Sequence, residues 1–574
     1  MTPASWTATL RRRVPPAVLV GHVVVPAVVA ILVLGPALGR GVVLAYDLAW
    51  SPDPRLTPFT LGTSTPAPRA VPSDAAGVVL GWLLGAGVAQ ALVLWGALVL
   101  AGAGAARLTA VLAPGAGWAP RSAAAVAAIW NPFVLERLVV GQWTVLLGYA
   151  AVPHLLVACL RVRSGRAPVW APAVGLAACG IGGANTLVVG ALAVAGILLA
   201  PRPRWAALGL AGLSALGVSA VWALPAVTAG VASAPVGVAA FAARADTPLG
   251  VFGSLLSGGA FWNPASHPAS RDVLVVALTA TVLAVVAVVV AARAARREGV
   301  GALLVPAVAG LLLAELSALD PFGLWTALVV HVPGGGLLRD AQKLVAPWVV
   351  LAAAGAGVLV RDLLRVRSAG PALAVLVAAL PVALLPTLAW GVGGRVTAVA
   401  VPEDLRTAAS MLSARPTGSV GLLPWSQYRR YGWNGDRVSL TLVPRMVDQR
   451  VVLDDGLPLA DGVVPGEDPV ARAVTARIAA GATPVQALAE QGVRWVVVEK
   501  DTGFPDPVPA SDLPASARVV HDGPAVRVLE LAGGAADPPA RTATIWGWAV
   551  TAVTWLAALG CVVSRTARAR RTDW

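Results

Sequence analysis

The chain has 574 residues, 57% of them hydrophobic and 13% charged, with a mean hydropathy of +0.76. A soluble chain carries about 25% charged residues, so an ordinary soluble protein is excluded and apolar spans are expected. The net charge of +14 does not mark a nucleic-acid partner, because the basic residues collect at the ends of apolar blocks, where the positive-inside rule places them.

Arg11, Arg12 and Arg13 precede an apolar run from about Val14 to Leu38. That run is long for a signal peptide and lacks a convincing cleavage site, so it reads as a retained first span. Spans are predicted near 15–37, 77–103, 121–135, 143–161, 168–183, 185–200, 204–228, 272–293, 301–318, 343–361, 370–391 and 542–563. The third, fifth and sixth are short for a stretch that needs roughly 20 residues.

Arginines mark alternate connections. They are Arg107 and Arg121; Arg161, Arg163 and Arg166; Arg202 and Arg204; Arg293, Arg296 and Arg297; Arg361, Arg365 and Arg367; and Arg565, Arg568, Arg570 and Arg571 in the tail. In a twelve-span chain all of these share a side with Arg11–Arg13. The expectation is a multi-pass protein of the cell membrane with both termini cytoplasmic.

The opposite side then holds loops at 38–76, 136–142, 229–271 and 319–342, and a polar segment at 392–541. Runs resembling strands at Gly418–Leu423, Arg494–Glu499 and Ala525–Leu531 alternate with runs resembling helices at Glu403–Leu412, Pro469–Ala480 and Pro484–Gln491. Thr483-Pro484 reads as an N-cap followed by proline at the first helical position. The expected fold class is a polytopic α-helical membrane protein of about twelve spans. Its parts are a transmembrane domain over 1–391, an extracytoplasmic α/β domain over 392–541, and a final span with a basic tail over 542–574.

Cys159, Cys179 and Cys561 all fall in apolar blocks, which argues against a disulfide framework. No Walker A loop, HExxH or paired CxxC is present.

Three outer clusters carry candidate chemistry. The first loop reads Tyr46-Asp47-Leu48-Ala49-Trp50-Ser51-Pro52-Asp53, and a carboxylate such as Asp47 beside a membrane surface suits a general base. The segment Gly334–Lys343 places Arg339 and Lys343 four apart, on one helix face, with Asp340 between them. Two such cations suit a phosphate, and Lys343 is the only lysine before Lys500. The third cluster, Trp130–Trp143, packs Glu136, Arg137 and Gln142 into a tight outer turn of the polar type that binds sugars. Each has a plainer reading: an interfacial acid, a snorkelling lysine, and a hairpin with a Pro break. The cluster from Trp425 to Asp436 suits carbohydrate or a packed domain edge, and Asn185 reads as a helix cap.

The stretches Asn131–Trp143, Arg339–Lys343 and Leu423–Arg430 resemble motifs of GT-C class membrane glycosyltransferases, and in particular of YfhO-like and actinobacterial GT-C-like proteins. That resemblance implies transfer of a sugar from a polyprenyl-phosphate donor to an envelope glycan or lipid acceptor at the outer face. It implies Asp47 as general base, with Asp53 as the other candidate acid. It implies Arg339 and Lys343 as ligands of the donor phosphate. Asp47 and Asp53 stand six apart rather than as a tight acidic pair, so no metal cofactor is expected. Two other readings stay open: a transporter or flippase of a lipid-linked substrate, and a non-catalytic protein of envelope assembly.

Overall fold

A computed structural model describes residues 16–64, 68, 70–230, 234–459, 462–504, 517–532, 534 and 542–572. Arg11–Arg13 lie outside them. Among the described residues, length and apolar composition qualify ten helices to cross a membrane, or eleven when a bent pair is included. The first half comprises α1 (Val20–Leu38), α2 (Ser73–Leu84), α3 (Ala86–Leu112), α4 (Trp118–Ile129), α5 (Pro132–Val139), α6 (Trp143–Arg163), α7 (Ala171–Cys179), α8 (Gly183–Leu199) and α9 (Trp205–Thr228). The second half comprises α10 (Leu274–Arg297), α11 (Leu304–Leu319), α12 (Ala346–Leu363) and α13 (Gly370–Leu384), which is bent by 66° against Pro386–Gly393.

Two boundaries differ from the sequence expectation, each for a local reason. The expected span 77–103 is cut at Gly85, whose φ of +83° ends α2. Only glycine adopts that conformation without strain, and hydropathy cannot see it. The crossing helix is therefore Ala86–Leu112. The expected span 121–135 runs from Trp118 to Val139 but changes helix at Asn131-Pro132. There the Asn131 side chain accepts from the Val134 N–H at 3.0 Å and caps α5. The stretch Ala171–Leu199 is 29 residues long yet folds back on itself. A Cβ at Gly190 would lie 3.0 Å from the Cys179 sulfur and 3.3 Å from Leu176. It thus forms two limbs, at the positions of the two short spans expected there.

The arginine-rich connections meet at one end of the bundle. Arg163 donates to the carbonyls of Ile197 at 3.2 Å and Pro201 at 2.6 Å, and Arg204 donates to the Arg163 carbonyl at 2.7 Å. Arg121 stands 2.9 Å from His22. Buried carbonyls at helix ends need partners, and the guanidinium forks supply them.

At the other end sits an α/β unit. Its five-stranded sheet has the order β10–β11–β9–β3–β6, built from β3 (Val420–Leu423), β6 (Val451–Val452), β9 (Trp495–Glu499), β10 (Ala517–Asp522) and β11 (Val526–Leu531). The central strand β9 runs parallel to β3 and antiparallel to β11. Helices α14 (Glu403–Ser413), α15 (Pro469–Ala479) and α16 (Pro484–Glu490) accompany the sheet, and Thr483 closes a capping box with Gln486 at the start of α16. The final helix α17 (Thr542–Thr572) packs along α9, where a Cβ at Gly547 would lie 2.6 Å from the Ala220 carbonyl.

The α/β unit is tied to the first outer loop by backbone and by charge. Strand β1 (Val42–Val43) pairs antiparallel with β2 (Ala398–Val399). Asp53 forms a two-pronged pair with Arg406 of α14, both contacts at 2.7 Å. Asp74 accepts from Arg445 at 2.8 Å, and the Arg445 guanidinium lies 4.7 Å over the Phe59 ring. Burial pushes the Asp74 carboxyl up, and Arg445 opposes that shift.

Within the unit, a short hairpin joins β4 (Tyr428–Arg430) to β5 (Val438–Leu440). It is fixed by a buried ion pair, because Arg429 donates to Glu499 of β9 at 2.8 Å with both side chains nearly inaccessible. Tyr431 and Thr441 also donate to that carboxylate. Removing one partner of such a pair strands a buried charge and costs about 3–5 kcal/mol. Glu499→Ala is therefore expected to lower the melting temperature in detergent sharply. Arg477→Ala, which breaks an exposed pair with Glu490, should leave it unchanged. Equal melting of both variants would contradict this ranking.

Candidate active site

The site is built on α5 and the turn that follows it. The Asn131 cap turns the chain so that α5 carries both Glu136 and Arg137 inward, each 0% exposed. The expected tight turn at 136–142 begins as a buried helix end. Arg137 and Gln142 of this turn bond to each other at 2.6 Å.

Arg137 is the hub. One end of its guanidinium donates to Gln142 Oε1 at 2.6 Å and stands 3.5 Å from Asp340. The other end donates to Gln342 Oε1. Its face stacks 4.2 Å from the Phe261 ring centre and 5.2 Å from that of Phe133. Gln342 in turn donates to the Gly259 carbonyl at 2.7 Å. Arg137 therefore joins the turn after α5, the entry to α12 and the outer loop near Gly259.

Lys343 follows Gln342 and is 3% exposed. Its ammonium donates to Asn185 Oδ1 at 2.8 Å, near the fold-back between α7 and α8. Asp340 has one oxygen towards Arg137, while its buried Oδ1 has no hydrogen-bond partner among the described residues. Arg339 is half-buried and lies 4.3 Å over the Phe241 ring. Its side chain runs beside Gly237 of the short helix Pro235–Ala240, next to Val464 of the α/β unit.

Asp47 reaches this assembly through its backbone. Its N–H donates to the Val140 carbonyl at 3.2 Å. Gly141 permits that contact: its φ is +68°, and a Cβ there would sit 2.1 Å from the Ala45 carbonyl oxygen. Trp50 meets Trp143 edge to face at 5.5 Å. The Asp47 carboxylate is exposed and accepts from the Tyr428 hydroxyl at 3.3 Å.

The structure thus gathers Arg137, Gln142, Asp340 and Lys343, and seats the Asp47 loop on the Val140–Gln142 turn. It does not bring Asp53 there, since that carboxylate is engaged with Arg406. Glu136 points elsewhere too. Its carboxyl faces that of Asp246. Arg271 grips Asp246 with contacts of 2.6 and 2.9 Å. Burial opposes ionisation of Asp246, but the Arg271 charge and hydrogen bonds hold its carboxyl below the usual range.

Three site residues escaped the sequence reading. Asn185 reads as a cap, Gln342 carries no separate signal, and Tyr428 is one residue of the Trp425–Asp436 cluster. Asp246 and Arg271 carry a weak signal, as charges in an otherwise apolar outer loop. Among the described residues no three His, Cys, Asp or Glu side chains gather closely enough to hold a metal ion.

An apolar cavity of ≈ 110 Å³ opens between α10, α12 and α13, lined by Val276, Leu283, Trp348, Ala352 and Leu384. Its polar end is formed by Asn131, Ser257 and Arg271. Neither Asp47 nor Arg339 lines it.

No protein-family model matches the sequence, and no curated protein does. Solved structures do. The arabinofuranosyltransferase AftD from Mycobacteria superposes with a TM-score of 0.57 at 19% identity, covering 90% of this chain and 40% of AftD. A mutant form of AftD gives 0.51 at 17% identity, over 90% of this chain and 41% of that one. The chain spans about two fifths of the length of AftD, and at these identities the likeness is one of fold. The oligosaccharyltransferase AglB from Archaeoglobus fulgidus aligns over 83% of this chain with a TM-score of 0.36, too low to add weight. Ten or more apolar helices, an α/β unit at one end and the superposition on AftD establish a polytopic membrane protein with the fold of the GT-C membrane glycosyltransferases.

Proposed function

We propose that the protein transfers a sugar from a polyprenyl-phosphate donor to an acceptor of the cell envelope, at the outer face of the membrane. The observation that carries this reading is the convergence of Lys343, Asp340, Arg137 and Gln142 beneath the Asp47 loop. Asp47 and Lys343 lie at the same end of the bundle, which supports a base beside a phosphate site. The arginine-rich end is the cytoplasmic one by the positive-inside rule, which makes the site and the α/β unit extracytoplasmic.

In the proposed reaction the Asp47 carboxylate takes the proton of the acceptor hydroxyl as its oxygen bonds to the anomeric carbon. The bond from that carbon to the phosphate oxygen breaks, and its electron pair leaves with the polyprenyl phosphate. A single displacement of this kind inverts the anomeric centre. Lys343 carries three N–H groups and Asn185 takes one of them. The other two suit phosphate oxygens, and Arg339 adds a second charge at the rim. Arg137 holds Gln142, Asp340 and Gln342 in place and does not touch substrate. The cavity between α10, α12 and α13 suits a hydrocarbon chain, since its walls are apolar at the depth of the spans.

Transfer is favoured over transport because the charged cluster gathers at one end of the bundle. A pathway through the membrane places such groups near the midplane.

The test is sugar transfer by the purified protein in nanodiscs, supplied in turn with polyprenyl-phosphate sugars. Asp47→Asn is expected to lower kcat by about 10²–10⁴-fold with donor binding unchanged. Lys343→Ala is expected to weaken donor binding by about 10- to 100-fold, the loss of a charge-assisted contact. Full activity in both variants would sink the assignment. Loss of donor binding in Asp47→Asn would remove Asp47 from the role of base.

A further inference from the structure

The α/β unit touches the proposed base directly. The Tyr428 hydroxyl donates to Asp47 Oδ1 at 3.3 Å, and the rings of Tyr46 and Tyr428 meet edge to face at 6.4 Å. The backbone beneath is locked from both sides. The Tyr46 N–H donates to the Val438 carbonyl at 2.7 Å, and the Leu440 N–H donates back to the Tyr46 carbonyl at 2.9 Å. Tyr46 therefore lies against β5 with a φ of +44°, a conformation that non-glycine residues rarely adopt unless their surroundings enforce it. Asn434 adds a bond to the Leu44 carbonyl at 3.2 Å. On its other flank the Asp47 N–H is held by Val140.

The hairpin that presents Tyr428 is equally fixed. Arg429, next in the chain, is 0% exposed. It donates to Glu499, to the Pro424 carbonyl at 2.9 Å and to the Tyr428 carbonyl itself at 2.9 Å. A buried ion pair in the sheet thus sets where the phenol stands.

We infer that Tyr428 is a positioning residue for Asp47, so that the active site is completed by the α/β unit and not by the membrane bundle alone. This rests on the reading of Asp47 as the base. The phenol fixes carboxylate oxygen Oδ1 and so helps orient Asp47 at the site. A contact of 3.3 Å is long for an O–H donor, and such contacts tighten when substrate enters.

The experiment is a double-mutant cycle in the full-length protein, under single-turnover conditions, with a polyprenyl-phosphate arabinofuranose as donor. Tyr428→Phe is expected to lower the transfer rate by about 10- to 100-fold, the loss of a hydrogen bond to a charged group. Donor affinity and melting temperature should not change. In an Asp47→Asn background the same substitution should cost nothing further, because the base that Tyr428 would position is already gone. An equal loss in both backgrounds, or no loss in the wild type, would overturn the inference. If the wild-type protein transfers no sugar from this donor, a cryo-EM map of Tyr428→Phe decides instead. Loss of the Asp47 side-chain density, with the Tyr46 backbone unmoved, supports positioning even as the transferase reading weakens. An unchanged Asp47 overturns it.

Discussion

A guanidinium cannot be left dry. Arg137 is fully buried at the end of the helix bundle that meets the α/β unit, and a charge there must be met by protein groups or it destabilises the fold. Three segments far apart in sequence supply the partners: Gln142, Asp340 with Gln342, and the aromatic faces of Phe133 and Phe261. That requirement pulls the entry to α12 against the end of α5, and so sets Lys343 beside Asn185. The cationic end of the site is a consequence of satisfying one arginine.

The acidic end is set by a different constraint, the pairing of a loop with a sheet. Residues 42–48 of the first outer loop contact β2, β5 and the Val140–Gly141 turn. Asp53–Arg406 and Asp74–Arg445 pin the loop further along. Asp47 is the exposed residue at the centre of this clamp. A carboxylate held by its backbone while its side chain stays accessible is what a general base requires.

Much of this was legible in the sequence, but unevenly. The arginine alternation identified the connections that gather at one end, because snorkelling cations and helix-end carbonyls leave a compositional trace. The α/β unit was legible because Thr483-Pro484 and the valine run at 496–498 follow local rules. Span boundaries at Gly85 and Asn131 were not, since they depend on φ at one residue and on one side-chain cap. Among site residues, Lys343 stood out as a lone lysine. Glu136 and Asp53 have equal polarity on paper, yet one is turned towards Asp246 and the other serves the domain interface. Tyr428 could not be paired with Asp47 from the sequence, since 381 residues separate them.

The account stands on where a lipid phosphate binds. A cryo-EM structure of the protein in nanodiscs with a non-hydrolysable polyprenyl-phosphate sugar analogue measures this directly. The phosphate should lie within hydrogen-bonding distance of Lys343 and on the Arg339 side of the site, with the anomeric carbon facing Asp47 and the prenyl chain leaving between membrane helices. A phosphate bound at the arginine-rich end, or a lipid lying along a path through both leaflets, would contradict the account.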